Sequence, residues 1–180
     1  DRFGIQMRMH YYSHDELAQI VTAQADKLSM ALTHDGALEI ASRSRGTPRV
    51  AGRLLRRVRD FASVDGVVDI TAEVADKALI MLDVDKMGLD GMDRRYLTTL
   101  AEHYGGGPVG VDTLAAVLSE QRDMLEEVIE PYLMQTGLLM RTPRGRCLAR
   151  SGWSYIGMTP PESALSQLDF LLDTPEGRNE

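Results

Sequence analysis

The chain has 180 residues, 43% apolar and 26% charged, enough for one or two soluble folding units. No apolar run approaches the roughly 18 residues of a membrane-spanning helix, and the opening Asp1-Arg2 lacks both an initiator Met and an apolar leader, so the sequence reads as a piece of a longer chain without a signal peptide. A net charge of −7 excludes a surface coated to hold nucleic acid, and only local basic patches remain for that role.

In chain order, Ile5 to Tyr11 alternates apolar and polar residues, a strand pattern whose partner strands are expected upstream. Ser13-His14-Asp15-Glu16 is a capping box. Leu17, Ile20, Val21 and Leu28 then mark one helical face. Thr33 or Asp35 starts a second helix that runs through Leu38, Ile40 and Ala41 to Arg45, with Gly46 as its stop. Thr47 caps a third helix, with Pro48 at its first position and an end near Ser63. Val50, Leu54, Val58, Phe61 and Ala62 give that helix an apolar stripe, and Arg53, Arg56, Arg57 and Arg59 cover the rest. Arg49 falls in its first turn, where the helix dipole disfavours a cation, and a bound phosphate would offset this. Asp65-Gly66 is a turn, and Thr71 caps a fourth helix through Val74, Ala78, Leu79 and Leu82. Residues 13–83 thus read as a four-helix unit.

The charged, glycine-containing segment from Asp83 to Gly91 marks a domain boundary and lacks the glutamate a calcium loop needs. Asp93 caps the next helix, with Tyr96, Leu97 and Leu100 inward. Gly105-Gly106-Gly107-Pro108 breaks the chain but has no Lys-Ser/Thr after it, so it is not a phosphate-binding P-loop. Asp112 caps a short helix, Ser119-Glu120-Gln121 turns the chain, and a further helix runs through Met124, Leu125, Val128, Ile129 and Leu133 to Gly137. Leu138 to Arg141 and Cys147 to Ala149 form a hairpin around Thr142-Pro143-Arg144-Gly145-Arg146, with Trp153 and Tyr155 packed beneath it. Three helices followed by a hairpin define a winged helix. After Pro160-Pro161 the composition turns polar, and residues 162–180 read as a flexible tail.

The helix that would enter the major groove carries Asp123, Glu126, Glu127 and Glu130, a set that repels phosphates. The basic residues lie elsewhere. Arg141, Arg144 and Arg146 flank the Pro-Gly turn of the wing, and Arg122 precedes the acidic helix. These four suit the sugar-phosphate backbone rather than base edges. No metal site is evident, because His10, His14, His34 and His103 are widely separated. Cys147, the one cysteine, fits a reducing, cytoplasmic compartment and has no neighbouring base that would make it a nucleophile.

Several long motifs are collinear with one family. Asp1-Arg2-Phe3-Gly4, Tyr11-Tyr12, Asp35-Gly36-Ala37-Leu38, Arg45-Gly46-Thr47-Pro48-Arg49, the run from Arg53 to Phe61, Gly106-Gly107-Pro108-Val109-Gly110, Glu130-Pro131-Tyr132-Leu133 and the wing turn from Arg141 to Arg146 resemble RuvB, the bacterial AAA+ motor of Holliday-junction branch migration. The resemblance covers residues 1 to about 161. It implies a mainly α fold: the end of a large ATPase domain at 1–12, a helical AAA+ lid at 13–83, and a winged-helix head with a short β-hairpin at 86–161. It implies that Arg2 is an arginine finger acting on a neighbouring subunit's nucleotide, that Arg49 is the sensor-2 arginine, and that Tyr12 and Pro48 line the adenine. It places Arg122, Arg141 and Arg146 at DNA, and Arg144 joins them on physical grounds. The third helix then packs the lid, its arginines serving nucleotide, neighbouring subunits and solvent.

The implied cofactor is ATP or ADP, with Mg²⁺ held by a core that this sequence does not include. The 180 residues alone are therefore expected to be inactive. The implied partners are four-way DNA bound without sequence preference, five further copies in a hexameric ring, RuvA and RuvC, and no membrane. Two alternatives compete: a non-enzymatic winged-helix transcription regulator, disfavoured by the acidic helix, and another AAA+ protein such as a clamp loader, disfavoured by the wing motif.

Overall fold

The structure, a computed structural model, describes residues 10–166. Arg2 and most of the expected Ile5–Tyr11 strand lie outside the described residues. The chain forms two units, Asp1–Asp90 and Gly91–Glu180.

In the first unit, α1 (His14–Lys27) begins on the expected capping box: the Ser13 backbone N–H donates to Glu16 at 2.8 Å, and Ser13 Oγ accepts from the Glu16 amide at 3.3 Å. Helix α2 (His34–Ser42) is capped by Thr33, whose hydroxyl accepts from the Gly36 amide at 3.1 Å. Helix α2 stops earlier than expected, with Arg43 as its C-cap. Arg45 (φ 53°) and Gly46 (φ 68°) then adopt left-handed backbone before α3 (Pro48–Val64). Thr47 occupies the N-cap position of α3 but makes no side-chain cap hydrogen bond. Its hydroxyl instead lies 3.4 Å from the Ser44 carbonyl, against the capping expectation. Helix α4 (Ala72–Met81) starts at Thr71 as expected.

One feature of this unit is too short to leave a periodic pattern in the sequence. Two-residue strands β1 (Ala31–Leu32) and β2 (Asp69–Ile70) pair in parallel, Ala31 with Asp69 and Leu32 with Ile70. The ladder sets the start of α2 directly against β2. The Thr33 amide donates to the Ile70 carbonyl at 3.1 Å, and a Cβ on Gly36 would lie 2.4 Å from that same oxygen. Gly36 therefore has no room for a side chain. Leu17, Val21, Ile40, Leu55, Val58 and Leu79 are fully buried between the four helices. Each contributes about 1.5–3 kcal/mol of apolar burial.

The second unit opens with α5 (Gly91–Tyr104), so Asp93 is not a cap but a first-turn residue, 1% exposed. Helix α6 (Val111–Leu118) likewise starts from Gly110, with Asp112 inside its first turn rather than capping it. The next helical run comprises α7 (Arg122–Met124), a π-helical segment Leu125–Ile129 and α8 (Glu130–Gln135). Strands β3 (Leu139–Thr142) and β4 (Gly145–Leu148) form the antiparallel wing, and α9 (Arg150–Tyr155) follows with Trp153 buried. Two of the three consecutive glycines, Gly106 and Gly107, are demanded by packing. A Cβ on Gly106 would lie 2.6 Å from Trp153, and one on Gly107 would lie 2.2 Å from the Arg146 carbonyl. This close approach lets Val109 exchange two backbone hydrogen bonds with Arg146 at 2.8 and 3.0 Å, extending the wing by a third edge. Residues 162–166, expected to belong to a flexible tail, form a helical turn that buries Ala164.

Candidate functional site

Two surfaces hold the expected functional residues, one on each unit. On the first, the left-handed Arg45-Gly46 pair turns the chain into α3. A side chain on Gly46 would strike Tyr11, its Cβ 2.8 Å from that of the tyrosine. The Tyr12 amide donates to the Gly46 carbonyl at 3.0 Å. The tyrosine pair is thereby tied to the loop that leads into Pro48 and Arg49, which links Tyr12 to two expected nucleotide contacts distant from it in sequence.

Arg49 is exposed in the first turn of α3, which contains no acidic residue. With Thr47 not capping, the first-turn amides of α3 receive no hydrogen bond from its side chain. An open groove beside them is lined by Gln24, Lys27, Leu28, Pro48, Arg49, Gly52 and Arg56. Three cations and an uncapped helix start fit a phosphate group. Arg45 is directed elsewhere: its Nε donates to the Gly88 carbonyl at 2.9 Å and its Nη2 lies 3.4 Å from Asp90.

A neighbouring residue that the sequence reading did not single out is Arg43, whose side chain is fully buried. Its guanidinium pairs with Glu39 and Asp76 and donates to the Val84 carbonyl at 3.0 Å. Lys86 adds contacts to Glu39 at 3.1 Å and Asp76 at 2.7 Å. Hydrogen bonds from Lys86 and then Arg43 hold the Asp76 carboxyl below the usual carboxylate range. The only signal in the sequence was the i, i+4 spacing of Glu39 and Arg43.

On the second unit, the wing brings Arg141 and Arg146 directly opposite each other. Like charges at such a pair repel and need nearby counter-charge. Arg146 is consequently not a surface residue, contrary to the sequence expectation: it is 6% exposed. Its Nε donates to Glu130 Oε1 at 2.9 Å, and its Nη2 reaches Glu130 Oε2 at 3.0 Å and Glu126 Oε1 at 2.6 Å. The Tyr96 hydroxyl donates to Glu130 Oε1 at 3.0 Å, and burial first, then the Glu130 charge, pushes that phenol upward. The expected acidic helix face is also corrected, since Glu130 is completely buried and Glu126 is bound to arginines, which leaves Asp123 and Glu127 as its exposed acids. Arg122, Arg141 and Arg144 remain exposed around the wing. Arg122 Nε donates to Glu126 at 2.8 Å, and Arg141 Nη2 lies 3.4 Å from the same carboxylate. Among the described residues no His, Cys, Asp and Glu group could hold a metal, and no helix is long and apolar enough to cross a membrane.

A helical lid followed by a winged helix is the architecture that ends an AAA+ motor with its own DNA-contacting module. Two family models match in that order: the RuvB AAA lid domain over residues 12–85 and the RuvB C-terminal winged-helix domain over residues 86–157. A Holliday junction branch migration complex subunit RuvB from Paramagnetospirillum magneticum is 63% identical over 98% of this chain and 51% of its own length. One from Rhodospirillum centenum is 58% identical over 100% of this chain and 51% of its own. The solved structure of the Thermotoga maritima RuvB Holliday junction branch migration motor superposes with a TM-score of 0.84 at 42% identity, covering 89% of this chain and 54% of that one. The chain belongs to the RuvB family. It spans about half the length of these relatives.

Proposed function

We propose that this chain supplies the nucleotide-sensing lid and the DNA-contacting head of an ATP-driven motor for Holliday-junction branch migration. The observation that carries this reading is the exposed trio Arg122, Arg141 and Arg144 around the wing, beside a helix whose exposed Asp123 and Glu127 oppose base reading. Such a surface grips a phosphate backbone without selecting sequence, as a translocating motor requires. Arg146 holds the wing to Glu130 from beneath.

In the lid, Arg49 meets nucleotide phosphate while Tyr12 and Pro48 border the base. ATP, when bound, supplies a phosphoryl transfer whose energy drives rearrangement of the ring. No Gly-Lys pair occurs in the sequence, so the phosphate cradle and its Mg²⁺ belong to a separate core domain. The 180 residues by themselves do not turn over ATP. Arg2 serves as the finger toward an adjoining subunit of a hexamer, with RuvA and RuvC completing the junction complex in the cytoplasm.

The test is binding of the chain to a four-way junction and a linear duplex under a salt titration, beside an Arg141→Ala/Arg144→Ala variant. The expected result is sequence-blind binding that weakens steeply with salt and is largely lost in the variant. A strong preference for one base sequence would instead support a transcription regulator.

A further inference from the structure

Glu126 sits at the centre of the basic cluster. Its Oε2 accepts from Arg122 Nε at 2.8 Å, and its Oε1 faces Arg146 Nη2 at 2.6 Å and Arg141 Nη2 at 3.4 Å. Three guanidiniums thus share one carboxylate whose side chain is 21% exposed. Arg122 and Arg141 are 53% and 57% exposed, so both can turn outward. Arg146 is not released with them, because Glu130 holds it independently through two contacts. Glu126 also lies within the π-helical segment Leu125–Ile129, a departure from α geometry of the kind found at functional sites. Its two carboxylate oxygens offer these donors the same kind of paired anionic acceptor as a phosphodiester's two free oxygens.

We propose that Glu126 is an internal substitute for a DNA phosphate. In free protein it holds Arg122 and Arg141 in place. On DNA it yields both to the backbone. The inference rests on the DNA-contacting role proposed for the wing. Its consequence is that each backbone contact replaces an existing ion pair, so contacts are weaker and more readily broken. That property suits a head that must release and re-engage its track.

Binding of the chain to a labelled linear duplex, measured across a salt series, tests the proposal. Glu126→Gln removes the competing charge, whereas Glu127→Gln removes an equal charge from an exposed neighbour that takes part in no ion pair among the described residues. Glu126→Gln is expected to tighten binding by about tenfold and to steepen the salt dependence by roughly one further phosphate contact. Glu127→Gln should tighten it by no more than about twofold. In an Arg122→Ala/Arg141→Ala background the gain from Glu126→Gln should vanish. Glu126→Asp, which keeps the charge but withdraws it by one methylene, should tighten binding less than the glutamine and remain measurable if Glu126→Gln disturbs folding.

Equal effects of Glu126→Gln and Glu127→Gln would overturn the proposal. So would weaker binding in a folded Glu126→Gln chain, a gain that persists without the two arginines, or wild-type binding by a folded Glu126→Asp chain. Wild-type affinity in the Arg122→Ala/Arg141→Ala chain would instead remove the DNA-contacting role itself.

Discussion

Arg146 and Glu130 form a two-point ion pair beneath the wing, Nε to Oε1 at 2.9 Å and Nη2 to Oε2 at 3.0 Å. Their side chains are 7% and 0% exposed, so neither charge is well served by water. Removing one partner from a buried pair destabilises by about 3–5 kcal/mol, mostly because the other charge is stranded. Arg146→Ala should lower the urea-unfolding free energy by that amount. Arg146→Met combined with Glu130→Leu should be less damaging than Arg146→Ala alone, since it leaves no stranded charge. A double variant worse than the single would show that the pair stabilises beyond mutual neutralisation.

The Arg49 side chain takes part in no hydrogen bond or ion pair among the described residues. It is exposed at the start of α3 and lines the groove with Lys27 and Arg56. Arg49→Ala in the complete motor should therefore leave thermal unfolding within about 0.5 kcal/mol of wild type, as expected for a surface substitution. ATP turnover should fall by at least about tenfold, corresponding to loss of a charged contact to phosphate. Unchanged turnover would take Arg49 out of the nucleotide site.

Asp76 links acid sensitivity to the lid. Contacts from Lys86 and Arg43 lower its folded-state pKa below the ordinary carboxylate value. An unfolded chain therefore binds the proton more readily than the folded one, and acid favours unfolding. The stabilisation is complete above the unfolded pKa, about 3.9 for Asp, and is lost as pH falls through the lower folded value. Comparing acid-unfolding curves of wild type and Asp76→Asn below about pH 4 checks this. The wild type should lose more stability over that interval, and parallel curves would show that the Asp76 contacts carry no linkage.

Cys147 offers a probe of the wing. It is buried in β4, opposite Met140, and burial pushes its thiol upward, offset in part by Thr142. A protonated, enclosed thiol reacts slowly. Modification by an aromatic disulfide reagent should therefore be slow in native protein and become fast in urea. Arg146→Ala should accelerate it under native conditions by loosening the hairpin. Rapid labelling of the native chain would contradict the buried placement.

The sequence by itself determined what depends on neighbours a few residues away. The caps at Ser13 and Thr71 were legible, and Thr33 was one of two candidates for the third, because a side chain and an amide three positions along suffice to make each one. The wing was legible from its turn, and the family from long collinear motifs. Tyr12, Pro48 and Arg49 were named as one group from those motifs, but only the Tyr12–Gly46 hydrogen bond shows how the fold joins them. Tertiary structure alone decided which arginines are exposed. Arg141 and Arg146 look alike in sequence, yet one is exposed and the other is 6% exposed. The difference comes from the helical run behind the hairpin, where Glu126 and Glu130 meet Arg146. The parallel β1–β2 ladder and the π-helical segment were hidden for the same reason. Each depends on partners or packing beyond the local pattern, and burial removes the water that would otherwise make the choice of partner nearly neutral in energy.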